Sequence, residues 1–220
     1  MKEIIISQAI KAILPELTLG CIECDVVISE ENGELWREIE ATCGTIGHSG
    51  ELAEVGSQPA IRASRTAYRL CGKDPARYRL SSEALMRRVV KGHQLYRINN
   101  VVDLLNLVSL KSGFSIGGYD AEKISGSAIF DIGTKNEPYE AIGRGELNIE
   151  FLPVFRDEIS PFGSPTSDSV RTSVTLNTKR FLMIVIGFSG EICMVETLDL
   201  SVSLLKKYAN ADNIETVIVR

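Results

Sequence analysis

Three polar side chains at helical spacing could border a ligand-binding cleft. Asn99, Asp103 and Asn106 stand at positions i, i+4 and i+7, so they would share one face of a helix. Polar groups on such a face can orient a bound substrate through hydrogen bonds. The alternative is structural: Asn99 or Asn100 serves as the N-cap, and Asp103 completes the first turn. Both interpretations predict a helix that begins at Asn99 or Asn100 and stops at Gly113.

A double glycine follows this helix and precedes a tyrosine and an aspartate. Gly117 and Gly118 permit a positive φ or a close approach to another surface, so we expect a glycine-rich turn here. Asp120 could begin a short helix as its N-cap, with Tyr119 just before it. An ordinary turn without a function is the alternative.

The charged residues are distributed unevenly along the chain. The net charge is −5, but residues 1–56 hold three basic and eleven acidic residues and carry −8. Residues 61–97 hold ten basic residues against Asp74 and Glu83 and carry +8. Such a segment can attract phosphates, unless the acidic segment lies beside it and neutralises it. The arginines expected to meet phosphates are Arg77, Arg79, Arg87, Arg88 and Arg97.

The cysteines and histidines are the residues that could bind zinc. Cys21 and Cys24 form a C-x-x-C pair, and Cys43 and His48 follow. The pair lies in a predicted strand without a tight turn, which favours small buried thiols over a metal site. An odd number of cysteines without a signal-peptide pattern predicts reduced thiols. Neither histidine stands in a motif with a nucleophile, which argues against serine or cysteine catalysis.

Length and composition are those of an ordinary globular protein. The chain has 220 residues, of which 44% are hydrophobic and 24% are charged, enough for one full core. No apolar run is long enough to cross a bilayer, so we expect a cytoplasmic protein that does not bind membranes. We also predict no cofactor and no metal.

Hydrophobic periodicity predicts helices in the first half and mainly strands in the second. Helices are expected at residues 4–14, 34–42, 59–70, 82–91 with Ser81 as N-cap, 100–112 and 198–209. Strands are expected at residues 17–29, 126–132, 145–155, 170–176, 181–188 and 215–219, and Pro153 suggests an edge strand. Residues 44–56 are expected to form loop or a short helix, and residues 160–169 an ordered loop.

Several blocks of the sequence together resemble the tRNA-editing region of the bacterial phenylalanyl-tRNA synthetase beta subunit. The first block joins Ile98-Asn99-Asn100-Val101-Val102-Asp103-Leu104-x-Asn106-x-Val108 to Gly118-Tyr119-Asp120-x-x-Lys123-Ile124-x-Gly126. Upstream, the chain resembles the form that this region takes in free-standing relatives, through Arg79-Leu80-Ser81-Ser82-Glu83-Ala84-Leu85-x-Arg87-Arg88-Val89. Downstream, the similarity continues through Ser167-Asp168-Ser169-x-Arg171-Thr172-x-Val174-Thr175-x-x-Thr178 and the apolar run at 181–187. The resemblance covers residues 57–188.

The resemblance implies an α/β (mixed α+β) fold, a single globular unit with a central mixed β-sheet and flanking helices. Residues 1–56 would form an acidic helix-strand-helix part of this globule, and residues 57–220 the editing-like tRNA-binding domain. In the family, the module hydrolyses the ester of tyrosine wrongly attached to the phenylalanine tRNA. The resemblance therefore implies a free-standing protein that edits or binds aminoacyl-tRNA. No stretch resembles the catalytic domain of the synthetase, so we expect no aminoacylation, and we expect no DNA binding.

Site residues carry over at the positions that match. The implied catalytic set is Asn100, which would orient the substrate, with Gly118 and Gly163, whose backbone N–H groups would bind the oxyanion. The implied substrate-binding residues are Asn99, Asp103, Asn106, Gly117, Asp120, Ser167 and Asp168. The family's histidine is absent at Gly117 and Gly118, and its glutamate aligns near Ile184. An apolar residue there leaves a substrate hydroxyl unpaired, at a cost of about 1–3 kcal/mol, which argues against tyrosine specificity.

Three functions remain open at this stage. The first is hydrolysis of an aminoacyl-tRNA ester by a positioned water, in a cleft between the helix start at Asn99 and the loop at residues 163–168. The second is a non-catalytic module that holds tRNA or an amino-acid-like ligand, favoured by the missing histidine and glutamate. The third is a small-molecule hydrolase or binder unrelated to RNA. The first requires Asn100, Gly118, Gly163 and Asp168 to meet in one cleft.

Overall fold

Among the residues that the structure describes, the strands form two four-stranded sheets and one short hairpin. The computed structural model describes residues 1–190 and 192–220, apart from the side chain of Ser49. The strands are β1 (Ile4–Ile6), β2 (Thr18–Asp25), β3 (Ser115–Asp120), β4 (Ala128–Ile132), β5 (Glu140–Ala141), β6 (Gly145–Glu146), β7 (Pro153–Arg156), β8 (Pro161–Gly163), β9 (Arg180–Gly187) and β10 (Asp212–Val219). The first sheet has the order β10-β2-β9-β3 and is antiparallel throughout. The second has the order β1-β4-β7-β8, with only β1 and β4 parallel.

Six α-helices accompany the sheets in the described residues. They are α1 (Gln8–Ile13), α2 (Gly33–Ser49), α3 (Pro59–Leu70), α4 (Ser81–Val90), α5 (Asn100–Ser112) and α6 (Met194–Ala209). Short 3-10 turns occur at Val55–Ser57, Ala121–Lys123 and Val170–Thr172. Helix α3 begins with proline at N1, where the missing N–H costs nothing. Helix α5 ends at Gly113, whose φ of 78° continues the chain in the left-handed region.

The antiparallel sheet is the middle layer of the molecule. One of its faces packs against α2, α5 and α6 through a core that includes Leu35, Leu104, Met183 and Leu205. Its other face packs against the second sheet through Phe130, Phe155, Phe162, Ile184 and their neighbours. Strand β9 carries side chains into both cores, which explains its continuous apolar run.

The predicted fold class is confirmed, as are the helix at residues 59–70 and the buried strand near residues 181–188. The β-structure is divided between two sheets instead of one central sheet. Within the described residues, no helix combines the length and the hydrophobicity needed to cross a bilayer.

Several predicted elements differ in the structure. Residues 4–14 form β1 and α1 instead of one helix, because Ile4–Ile6 pairs with β4 and Ser7 then caps a new helix. Helix α2 continues through Gly44 and Gly47, and Ser81 is the first residue of α4 instead of its cap. Residues 170–176 contain a 3-10 turn instead of a strand. Pro153 begins the interior strand β7, a position that needs no N–H from it.

The cysteines are free thiols, and Cys21 and Cys24 are buried in β2. Burial raises the pKa of both thiols to about 12, so they are protonated at neutral pH. The described residues contain no group of three or more histidine, cysteine or acidic side chains arranged for a metal ion.

Candidate functional site

A cavity of about 780 Å³ lies between α4, α5, the edge strand β3 and the loop after β8. We call it the α5–β3 cavity. Apolar side chains form much of its wall, among them Leu85, Ile98, Val102, Leu105, Ile116 and Val174. Its polar lining includes Ser81, Arg88, Asn106, Arg144, Ser164, Ser167 and Asp168. A largely apolar hollow of this size with a few polar groups is typical of a small-ligand site.

Asp168 lines this cavity and is an aspartate with a strongly raised pKa. Its Oδ1 accepts a hydrogen bond from the Tyr119 hydroxyl at 2.9 Å, and its Oδ2 accepts one from the Gly118 N–H at 3.3 Å. Burial raises the pKa of Asp168 to about 7, although both hydrogen bonds act to lower it. The carboxyl group is therefore close to half ionised at neutral pH.

Tyr119 holds Asp168 in place from the core between the two sheets. Its ring is fully buried and makes an edge-to-face contact with Phe162, with ring centroids 5.0 Å apart. A Cβ at either Gly117 or Gly163 would overlap the Tyr119 hydroxyl, so both glycines make room for this side chain. Gly117 and Gly118 thus lie within a strand instead of the predicted turn. Gly163 does not line the cavity, which corrects its predicted place in the cleft.

The polar residues at the start of α5 stabilise the fold. Asn99 is the N-cap, and its side-chain oxygen accepts the Val102 N–H at 2.9 Å. Asn100 is buried: its Oδ1 accepts the Ser29 N–H at 2.9 Å, and its Nδ2 donates to the carbonyl of Tyr208 at 2.8 Å. Asn100 therefore does not reach the cavity, and the prediction that it lines the cleft is wrong.

Asp103 also faces inward, away from the cavity. It accepts hydrogen bonds from the Trp36 indole N–H at 2.8 Å and from the Ile98 N–H at 3.0 Å. Burial raises the pKa of its carboxyl group. By fixing the backbone of Ile98, Asp103 helps to shape the cavity without lining it.

The remaining predicted substrate-binding residues fall into two groups. Asn106, Ser167 and Asp168 line the α5–β3 cavity, as does Gly118 of the predicted catalytic set, whereas Gly117 does not. Asp120 does not line it, because its carboxylate caps the turn at Ala121–Lys123 and accepts the Thr178 hydroxyl at 2.8 Å.

The five predicted phosphate-binding arginines are not equivalent. Arg88 lines the cavity, and its guanidinium lies 4.1 Å from the centroid of the Tyr96 ring. The neighbouring Arg87 instead pairs with the buried Glu83 at 2.8 Å. The other three lie outside the lining of this cavity: Arg97 pairs with Glu40, while Arg77 and Arg79 are exposed.

Sequence reasoning missed Arg144, Tyr119 and Tyr96 as parts of the site. Arg144 is exposed at the cavity and lies just before β6, far in sequence from the basic segment. Tyr119 stands between the glycines and Asp120, where its fixed position in the motif was a usable signal. A partly buried carboxyl with a pKa near 7, in the wall of an apolar cavity that two arginines also line, can act as a general base or acid on an acyl substrate.

Comparisons with known proteins agree with this architecture. The B3/4 domain family matches residues 63–201, more than half of the chain. The fold is similar to the crystal structure of an N-terminal fragment of the phenylalanyl-tRNA synthetase beta-subunit from Pyrococcus horikoshii, with a TM-score of 0.52 and 14% identity. The similarity covers 99% of this chain and 54% of that one, so this chain spans about half the length of the fragment. No curated protein gives a significant sequence match.

Proposed function

This chain belongs to the B3/4 domain family, and from that premise we propose that it hydrolyses the ester of a mischarged tRNA in trans. The aminoacyl group would occupy the α5–β3 cavity. The proposal is supported by the fold it shares with part of a phenylalanyl-tRNA synthetase beta-subunit. The observation that carries it is Asp168, a carboxyl group with a pKa of about 7 in the wall of a largely apolar cavity.

In this mechanism, Asp168 acts as the general base. Its carboxylate takes a proton from a water molecule, and the water oxygen adds to the ester carbonyl carbon. The bond from that carbon to the ribose oxygen then breaks, and the proton on Asp168 passes to the ribose oxygen. The products are a free amino acid and an uncharged tRNA. Asn106 and Ser167, which line the same cavity, are the candidate donors to the oxyanion.

The roles of the other groups follow from their positions. The Gly118 N–H is engaged by Asp168, so it orients the base and is not an oxyanion donor. The apolar wall would receive an aliphatic or aromatic side chain, while Arg88 and Arg144 would meet the phosphates of the tRNA end. Arg87 is excluded from this role because Glu83 holds it.

The test is deacylation of a panel of mischarged tRNAs by the protein and by Asp168→Asn. Loss of a general base typically lowers the rate by about 100-fold or more, so release by the variant should fall accordingly. Asp199→Asn is the matched control, because Asp199 is exposed on α6. No release from any tRNA by the folded protein would remove the enzymatic proposal. Equal rates for Asp168→Asn and the unmodified protein would remove Asp168 as the base.

A second candidate function is a module that binds tRNA or an amino-acid-like ligand without catalysis. Ile184, near which the family's glutamate aligns, is buried in β9 opposite Gly117 and lies in the core between the two sheets. The polar group that recognises tyrosine in the family therefore has no counterpart there.

Measurements of tRNA affinity against salt, combined with the deacylation assay, separate the two candidates. If Arg88 contacts a phosphate, Arg88→Gln should lower the slope of log affinity against log salt by about 1. Arg69→Gln, on the exposed side of α3, should leave the slope unchanged. Affinity without turnover would select the binding module, and no affinity at low salt would exclude tRNA as the partner.

A further inference from the structure

A second cavity, of about 460 Å³, lies between α2 and the segment of residues 89–97. We call it the α2–α4 cavity. It shares no lining residue with the α5–β3 cavity. Trp36, Ile39, Val89 and Leu95 contribute apolar surface to it. Trp36 and Ile39 are almost completely buried, so the floor of the cavity belongs to the core below α2.

The rim of this cavity carries one charge of each sign. Arg97 and Glu40 both line it, and their side chains approach to 3.3 Å. Both side chains are more than half exposed, at 51% and 63%, so their mutual attraction is weak and can be exchanged for contacts with a ligand. The Arg97 guanidinium also lies 4.5 Å from the centroid of the Trp36 ring, which holds it above the apolar floor.

Trp36 is itself held in a fixed position. Its indole N–H donates to the buried Asp103 carboxylate at 2.8 Å. The ring therefore presents a fixed apolar surface directly below the charged rim. A cation, an adjacent anion and an apolar floor are complementary to a molecule with a carboxylate, an ammonium group and an apolar side chain.

We infer that the α2–α4 cavity binds a free α-amino acid with an apolar side chain. The carboxylate of the ligand pairs with Arg97, its ammonium group pairs with Glu40, and its side chain lies against Trp36 and Leu95. The volume is ample for one amino acid, and sites of this kind commonly begin near 300 Å³. The inference does not depend on ester hydrolysis, because it concerns a different cavity.

The chain provides its own optical probe for this binding. Trp36 is the single tryptophan, so tryptophan fluorescence reports on the α2–α4 cavity. The probes are L-leucine, L-methionine and L-phenylalanine, titrated into the full-length protein without tRNA. At least one should change the emission in a saturable manner. If none does, the inference is overturned, whatever the outcome of the deacylation assay.

Two analogues test the charge pairing. 4-Methylpentanoate is leucine without its ammonium group, and isoamylamine is leucine without its carboxylate. Each should bind more weakly than L-leucine, by about fivefold at most, since each loses one charged contact at the exposed rim. Equal binding of either analogue would overturn the zwitterion assignment.

A pair of glycine variants tests the location. A Cβ at Gly44 meets no atom within 4 Å, so Gly44→Leu should extend into the cavity without disturbing α2. Gly33→Leu, at the first position of the same helix and equally unobstructed, is the matched control. Gly44→Leu should abolish the fluorescence response, and Gly33→Leu should retain it. A full response from Gly44→Leu would place the ligand elsewhere and overturn the inference.

Discussion

Replacing Asp168 by asparagine is expected to change how the stability of the protein depends on pH. The folded-state pKa of this carboxyl group is about 7, whereas an aspartate in an unfolded chain has a pKa of about 3.9. At pH 5 the group is therefore protonated in the folded protein and ionised in the unfolded chain. As the pH rises to 8, the folded protein must also ionise this group, which burial opposes. The sign is thus a loss of stability with rising pH.

The magnitude follows from the two pKa values. Between pH 5 and pH 8, the raised pKa of Asp168 lowers the unfolding free energy by about 3 kcal/mol. Because Asp168 is only half-buried, partial solvent access reduces this effect to about 2 kcal/mol. Asparagine does not titrate, so Asp168→Asn lacks this loss. The difference in unfolding free energy between the unmodified protein and the variant should therefore shift in favour of the variant by that amount.

Urea unfolding at pH 5, 6, 7 and 8 measures this difference, and titrations common to both proteins cancel in it. Asp199→Asn makes the same chemical change at an exposed position of α6 and is the control for the substitution itself. A difference for Asp168→Asn that does not vary with pH would mean that the Asp168 carboxyl group titrates near its ordinary value. The assignment of Asp168 as a base at neutral pH would then be refuted.

The remaining predictions concern the groups around the site. Tyr119→Phe removes a hydrogen bond that lowers the pKa of Asp168, so the midpoint of the pH–rate profile for deacylation should move above 7; an unchanged midpoint would contradict this. Asn100→Ala removes a buried side chain that makes hydrogen bonds with four backbone groups, and urea unfolding should show a loss of about 3 kcal/mol. A loss within error of zero would mean that water replaces these bonds. Glu83→Gln leaves Arg65 and Arg87 without their shared carboxylate and should cost about 3 kcal/mol in the same assay. Full stability of that variant would show that both arginines find other partners.

The sequence was sufficient to predict those elements whose formation depends on neighbouring residues in the chain. The proline at residue 59 and the apolar run of β9 each mark an element that needs little tertiary information. Residues 4–14 differ because three consecutive isoleucines pair with β4, more than 120 positions away in the chain. No periodicity within the segment could reveal that partner.

The candidate site was predictable from the sequence only in part, because some of its contacts depend on residues distant in the chain. The meeting of α5, Gly118 and Asp168 followed from a family resemblance, and the structure brings all three to one cavity. The inward direction of Asn100 depends on backbone groups at Val27, Ser29 and Tyr208, which no local pattern identifies. The spaces beside Gly117 and Gly163 are filled by one hydroxyl, and this becomes apparent only when the two sheets are packed.

The adjacent arginines of α4 illustrate how one acidic neighbour determines whether an arginine is available to a ligand. Arg87 and Arg88 have the same charge and stand side by side, yet only Arg88 lines the α5–β3 cavity. Glu83 lies four residues before Arg87 on the same helix, and this spacing favours an ion pair. The sequence therefore contained the signal that separates the two.

Strand β2 comes from the acidic first 56 residues, yet it lies between β9 and β10 inside the antiparallel sheet. Without it, the apolar strand β9 would have one bare backbone edge, and such an edge recruits foreign strands. The N-terminal segment thus supplies β2 as a donor strand that completes the antiparallel sheet. A chain cut near residue 56 should regain its structure when the missing piece is returned as a separate peptide, by strand complementation.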